Sequence, residues 1–185
     1  MNQSPLTSAR LTLRPYKQAD LQDMLEAILS STESLYPWLP WCTPSYNQHD
    51  AQQWIQHSMQ NWTYCLGYEF AIFANDQFVG SASLSNISEQ TNSAELGYWI
   101  RQDAQRQGYA TEAAQAVAQY GFEELGLTRI EIVTHLGNLA SQRTALACRA
   151  KFECTARNRI MINNTPQDGL LFSLIPSDFS PPLAY

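Results

Sequence analysis

The stretch Gln105-Arg106-Gln107-Gly108-Tyr109-Ala110-Thr111-Glu112-Ala113 constrains this chain more than any other. It reads as a short polar loop that turns directly into a helix. Beyond it, apolar positions fall at Ala110, Ala113, Ala114, Val117, Ala118, Gly121, Phe122 and Leu125. That spacing belongs to a helix with one buried face over about four turns. Most of these residues are small, so the helix can lie close to its neighbour. Before the loop, residues 94–100 alternate as a strand does. Ala94, Leu96, Tyr98 and Ile100 share one face; Glu95, Gly97 and Trp99 share the other. The first turn of a helix carries N–H groups without intrahelical partners and the positive end of the macrodipole. Gly108 has no Cβ to block an approach, so those groups can converge on a phosphate or pyrophosphate. The competing explanation is an ordinary strand–loop–helix connection whose glycine serves only the turn, and one glycine does not separate the two.

Length and charge narrow the partners. A chain of 185 residues accommodates one domain with a proper core, expected over 1–185 with the core at about 10–179. The formal charge of -6 argues against a general nucleic-acid binder or a membrane-surface protein. It is compatible with a cationic acceptor such as an amine. The N-terminal residues lack the basic and apolar regions of a signal peptide, and no apolar run approaches transmembrane length. Cys42, Cys65, Cys148 and Cys154 lack metal or redox spacing, which predicts free thiols in a reducing cytoplasm. With His49, His57 and His135 scattered, no metal site is expected.

Residues 11–14 alternate and end at Pro15, predicting a first strand, and Asp20 is placed to cap a helix bearing Leu21, Met24, Leu25 and Ile28. Pro37, Pro40 and Pro44 forbid regular structure in the next segment. Its Tyr36, Trp38 and Trp41 either line a substrate cleft or pin the loop to the core. Asn47 or Gln48 opens a second helix, with Ala51, Trp54, Ile55 and Met59 on one side. A hairpin is expected around Asn75-Asp76. After the central helix, Gly126 suits a left-handed cap, residues 129–134 a strand, and Asn138 the start of a helix reaching about Arg149. A closing hairpin follows over residues 151–162 and 170–175, joined by residues 163–169; the tail from Ser180 is expected to be loose. The order β-α-α-β-β-β-α-β-α-β-β predicts one mixed α/β domain with a largely antiparallel sheet.

Gln105, Gly108 and Ala110 meet the Gln/Arg-x-x-Gly-x-Gly/Ala hallmark of the GNAT superfamily of acetyl-CoA-dependent N-acetyltransferases, which this chain resembles over residues of about 10–179. Within it, the chain is most similar to the ribosomal-protein-serine acetyltransferase branch, which acetylates protein N-termini. Leu11-Thr12-Leu13-Arg14-Pro15, Pro37-Trp38-Leu39-Pro40-Trp41, Glu95-Leu96-Gly97-Tyr98-Trp99 and Gly108-Tyr109-Ala110-Thr111-Glu112-Ala113 carry that likeness. So do Phe122-Glu123-Glu124-Leu125-Gly126-Leu127 and Asn138-Leu139-Ala140-Ser141-Gln142-Arg143. The family usually has glycine where Arg149 and Cys154 stand. Keeping a left-handed backbone at Arg149 would cost about 1 kcal/mol, so a different local turn is one expectation. The carboxylate some members carry early in the closing strand is absent from Arg157-Asn158-Arg159-Ile160.

The resemblance implies acetyl-CoA as co-substrate, held by Trp99, Ile100, Gln105, Arg106, Gln107, Gly108, Tyr109, Ala110 and Thr111, with Asn138 on the pantetheine arm, Ser141 beside the thiol and Arg143 toward a phosphate. It also implies oxyanion donors among backbone N–H groups near residues 98–100, if the strand splays there. An amine attacks a thioester only when neutral, and a peptide α-amine has a pKa of about 7.7–8.0, so a base or water relay is needed. Glu95 is the candidate base and Glu112 a weaker one; each can instead be structural, Glu95 in a salt bridge and Glu112 at the helix dipole. Ser141 can protonate the thiolate or simply cap its helix. Cys148 and Cys154 read as buried packing thiols and not as acetyl carriers, so direct transfer is expected. The acceptor is expected to be a protein N-terminus or a small amine, such as a polyamine, amino-acid derivative or antibiotic. Acidic residues beside the cleft would favour a polyamine, and free strand edges a peptide. A silent acyl-CoA-binding module is a third alternative. A dinucleotide-binding domain is the fourth, disfavoured because Gly-x-Gly-x-x-Gly is missing and no parallel βαβ unit is expected around the loop. The chain is expected to act as a monomer or homodimer.

Overall fold

The computed structural model describes residues 4–179; the expected loose tail lies outside them. The chain opens with β1 (Leu6–Thr7) and β2 (Thr12–Pro15). Three helices follow, α1 (Leu21–Leu29), α2 (Thr32–Leu35) and α3 (Gln48–Tyr64), then β3 (Tyr68–Ala74), β4 (Gln77–Ser88) and β5 (Ser93–Ile100). Next come α4 (Tyr109–Glu123), β6 (Arg129–His135), α5 (Leu139–Ala147), β7 (Lys151–Ile162) and β8 (Thr165–Leu174). The strands form one sheet of eight in the order β1-β2-β3-β4-β5-β6-β8-β7. Every pairing is antiparallel except β5 with β6. This is the mixed α/β, mostly antiparallel fold expected, with one correction: β5, α4 and β6 do form a parallel βαβ unit around the loop. The long connection through α4 permits what a hairpin would not.

Two hydrophobic clusters sandwich the sheet's centre. One is built around α4, where Val117 and Ala118 meet Leu84, Leu96, Ile130 and Phe172. The other joins α1 and α3 through Met24, Ile28, Ile55, Ala71 and Phe78. Gly80 is what lets β4 and β5 close up where they carry the site: a Cβ there would stand 2.2 Å from the Trp99 carbonyl oxygen. The hairpin at Asn75-Asp76 has both residues in the left-handed region, at φ 49° and 62°, the form that matches strand twist.

Local expectations were corrected where side-chain partners come from afar. Asp20 starts α1 but its carboxylate makes no cap bond to the helix; it accepts from the Arg14 guanidinium at 2.7 and 2.8 Å. The closing hairpin turns at Asn163-Asn164 alone, both left-handed, because β8 begins at Thr165. Arg149 keeps the left-handed backbone that a glycine would take, with φ 72°, so the turn did not change; its guanidinium reaches the Asp178 carbonyl at 3.2 Å. Trp54 and Met59 are exposed. The buried side of α3 carries Ala51, Ile55, Ser58, Asn61 and Trp62 instead, because β3 offers it a buried carboxylate. Asn61 donates to Glu69 Oε1 at 2.7 Å, whereas Glu69 Oε2 has no partner among the described residues.

Two stability measurements follow from these contacts. Arg149→Gly should stabilise the chain by about 1 kcal/mol, since it removes left-handed strain from a residue with a Cβ; a denaturation midpoint equal to wild type would contradict this. Burial raises the Glu69 pKa, against the lowering effect of the Asn61 hydrogen bond and the nearby His57. A carboxyl raised on folding contributes stability at low pH and loses it as pH climbs through the raised value. Wild type should therefore lose stability relative to Glu69→Gln from about pH 4 upward, and parallel melting curves for the two across that range would show the group is not strained.

Candidate active site

The β5–β6 ladder is short. It pairs Ser93 with Arg129, Ala94 with Ile130 and Glu95 with Glu131, and stops. β5 continues along β4 as far as Ile100 opposite Gly80, and β6 continues along β8 as far as His135 opposite Gly169. The two strands therefore part after Glu95. The β5 edge turned toward β6 has no ladder partner over residues 96–100. Gly97, though in a central strand, is exposed. A cleft of about 630 Å³ opens over Ser83, Gly97, Tyr98 and Trp99. Its walls come from Trp41 and Tyr46 in the proline-rich segment and from Asp50, Trp54 and His57 of α3.

At the far end of β5 the chain makes a 3-10 turn, Gln102–Ala104, and enters α4 through Gly108 at φ 81°. Arg106 is also left-handed, at φ 63°. Alternating left-handed residues turn successive N–H groups toward one side, forming an anion-binding concavity on a helix N-terminus. A non-glycine residue held in this region is strain of the kind that collects at functional sites. Side chains brace the loop from behind. Gln105 Nε2 donates to the Ile100 carbonyl at 3.1 Å, and Arg10 Nη1 donates to the Gln107 carbonyl at 2.8 Å. The Arg10 guanidinium also lies over the Tyr109 ring, 5.0 Å from its centroid. Ala110 and Thr111 form the half-buried first turn. Arg106 and Arg143 are exposed.

Where β5 and β6 part, Tyr98 crosses to α5. Its hydroxyl donates to the Ser141 carbonyl at 3.0 Å and lies 3.2 Å from Ser141 Oγ. Burial raises the Tyr98 pKa, partly offset by the Ser141 hydrogen bond, so both hydroxyls stay protonated. The α5 cap is Asn138, whose Oδ1 accepts from the Ser141 N–H at 3.1 Å; the Ser141 hydroxyl is not used for capping. Tyr98 was placed by its alternation on the apolar face, and only the fold reveals its polar end. Cys148 is wholly buried, and burial pushes its thiol up to about 12, which disfavours the thiolate an acyl carrier would need; Cys154, expected to be buried likewise, is exposed on β7.

Glu95 sits on the last rung before the strands part, on the Gly97 and Trp99 face. It is ion-paired with Arg159 of β7. Arg159 also stands 3.9 Å from Glu131, which accepts from Arg129, itself paired with Glu153. Glu112 is fully engaged elsewhere. Burial raises its pKa, but hydrogen bonds from Ser8 and Arg10 and the Arg10 charge outweigh that and leave it lowered, which removes it as a base. Of the three aromatic residues expected in the cleft, Trp41 lines it and packs on Trp99, rings 6.2 Å apart. Trp38 instead stacks near His135 at 5.5 Å, and Tyr36 is half-buried; neither lines the cleft. Ile100 is buried beneath the loop. Tyr46, Asp50, Trp54 and His57 were not anticipated there, because α3 reads as an ordinary amphipathic helix. His57 Nε2 lies 3.1 Å from Asn61 Nδ2, which links the cleft to buried Glu69.

Comparison with known proteins agrees with this architecture. Residues 10–151 match the family described as the acetyltransferase (GNAT) domain. A Vibrio cholerae structure described as a proposed ribosomal-protein-serine acetyltransferase is 35% identical, covers 94% of this chain and 98% of its own, and superposes with a TM-score of 0.81. The ribosomal-protein-serine acetyltransferase of Escherichia coli (strain K12) is 23% identical over 175 residues, spanning 95% of this chain and 98% of that protein. RimL, the ribosomal L7/L12 α-N-protein acetyltransferase solved with coenzyme A, shares the fold at a TM-score of 0.86 and 20% identity, over 93% of this chain and 98% of its own. A split parallel strand pair, a left-handed Gly108 leading into α4 and a match over residues 10–151 place this chain in the GNAT family of acetyltransferases.

Proposed function

We propose that this acetyltransferase moves an acetyl group from acetyl-CoA to the α-amine of a protein or peptide N-terminus, by direct attack on the thioester. The observation that carries this is the β5 edge left without a ladder partner after Glu95, opening onto exposed Gly97. A free strand edge suits an extended main chain, which can add hydrogen bonds along it. Asp50 is the one carboxylate lining the cleft, and it already accepts from the Asn47 N–H at 3.0 Å. That is a poor lure for a polyamine. The named activities of the E. coli relative and of RimL support a protein acceptor.

The residues present fit an acyl-CoA. The loop concavity at Arg106, Gln107 and Gly108 and the first turn at Tyr109, Ala110 and Thr111 would hold the pyrophosphate. Arg106 and Arg143 are exposed cations for the remaining phosphate charge. Asn138 and the Trp99–Ile100 end of β5 would line the pantetheine, whose thioester is the chemistry acetyl-CoA supplies, leaving the edge at Leu96–Tyr98 for the acceptor chain. Backbone N–H groups between Tyr98 and Ile100 would meet the carbonyl oxygen as charge develops on it. Ser141, with Tyr98 behind it, would return a proton to the departing sulfur. Glu95 lies two residues before Gly97 on the same face, about 7 Å along the strand. It would take the amine proton through a water, with Arg159 paired to its carboxylate. The setting proposed is the cytoplasm, where its four free cysteines stay reduced.

An acceptor panel with acetyl-CoA, following thiol release, tests the acceptor. Release with Ser- and Ala-starting peptides alone is expected. Release only with spermidine, amino acids or aminoglycosides would move the acceptor to a small amine. CoA binding without release would point to a silent module. Gly108→Trp should weaken CoA binding at least about tenfold, since a side chain there meets both the left-handed backbone and Arg10; unchanged affinity would mean the pyrophosphate binds elsewhere. Glu95→Gln should lower turnover by about 10²-fold with little change in acetyl-CoA affinity, and wild-type turnover in that variant would take Glu95 out of the mechanism.

A further inference from the structure

Glu112 stands in the first turn of α4, beside the N–H groups that would receive a pyrophosphate. An unpaired carboxylate there would repel the anion and offset much of what the helix terminus offers. Three hydrogen bonds and an ion pair occupy it instead. Ser8 Oγ and the Arg10 N–H donate to Oε1 at 2.7 and 2.8 Å. Arg10 Nε and Nη2 approach Oε2 at 2.8 and 2.6 Å. The same guanidinium donates to the Gln107 carbonyl, and its Nη2 lies 3.3 Å from where a Cβ on Gly108 would be. One side chain from the N-terminal hairpin thus neutralises the acid in the anion site and turns a loop carbonyl backward, so that the loop's N–H side faces out.

We propose that Arg10 is a positioning residue for coenzyme binding: anchored on the Gln107 carbonyl, it cancels the Glu112 charge, and that cancellation sets the affinity of the α4 N-terminus for the pyrophosphate. This role rests on acetyl-CoA being the donor, as argued above. Arg10 acts through Glu112 and Gln107, not by touching the reacting atoms. Its effect therefore falls on coenzyme affinity and leaves the chemical step alone.

The test is CoA affinity by calorimetry for the full chain, Arg10→Ala, Glu112→Gln and the double variant, at low and high salt, with thermal melts alongside. Arg10→Ala should weaken CoA about five- to tenfold at low salt. The deficit should shrink at high salt as the exposed carboxylate is screened. Adding Glu112→Gln should recover most of the loss, and Glu112→Gln alone should bind CoA at least as tightly as wild type. For peptide acetylation, Arg10→Ala should raise the acetyl-CoA KM and leave kcat within about twofold. Wild-type affinity in Arg10→Ala overturns the role. So does a double variant as weak as Arg10→Ala, which would mean direct phosphate contact or a purely structural loss. Should Arg10→Ala fail to fold, a weakened Glu112→Gln overturns it just as well. Failure of the unmutated chain to bind CoA would overturn the acetyl-CoA donor itself, and this role with it.

Discussion

The rest of this structure depends on a strand pairing that gives out after three rungs. β5 and β6 hold one another only from Ser93 to Glu95 on one side and Arg129 to Glu131 on the other. Each is then claimed by its outer neighbour, β5 by β4 and β6 by β8. Antiparallel pairing on both flanks runs past the split, β4 with β5 from Gly80 to Ser85 and β6 with β8 throughout, so the sheet remains one body while its middle opens. An unpaired strand edge inside a protein is costly unless something fills it. Here the opening lies beside the aromatic cleft, where the thioester arm and the peptide proposed above would supply the missing hydrogen bonds. The fold's weakest seam and its site are the same place.

The charges are arranged around that seam with a consistent logic. On one face, Glu95, Glu131 and Glu153 are interleaved with Arg129 and Arg159, so carboxylates that stand on facing strands do not simply repel. At the loop, Arg10 absorbs Glu112 while Arg106 stays exposed. Arg106, two residues before Gly108, thus leaves an exposed cation at the start of α4, in a chain whose formal charge is -6. Net charge alone would have argued against an anionic coenzyme. The paired and unpaired cations, which only the fold sorts, reverse that sign where it counts.

Much of this was legible along the chain because it is local. The helix after Gly108, the alternation at residues 94–100, the Asn75-Asp76 turn and the Asn138 cap each depend on neighbours within a few residues, and each appears where the spacing put it. Local chemistry also misled. Asp20 has the composition of a cap, yet half-buried Arg14 takes its buried carboxylate. Trp38 and Trp41 look alike three residues apart, but one lies against His135 and the other faces the cleft. Arg149 holds a glycine's backbone because the packed turn between α5 and β7 fixes it, and the strain of about 1 kcal/mol is small against a whole domain.

By itself the sequence determined the element types, the anion-seeking loop and the membership these imply, since periodicity and turn chemistry act over a handful of residues. Tertiary structure alone decided which groups meet. Arg10 reaches Glu112 and Glu95 finds Arg159 from remote parts of the chain, and Tyr98 finds Ser141 across the split. No spacing rule carries such pairings. They come from how far β5 and β6 run together before the flanking strands pull them apart, a balance of hydrogen bonds and packing that exists only once the whole sheet is assembled.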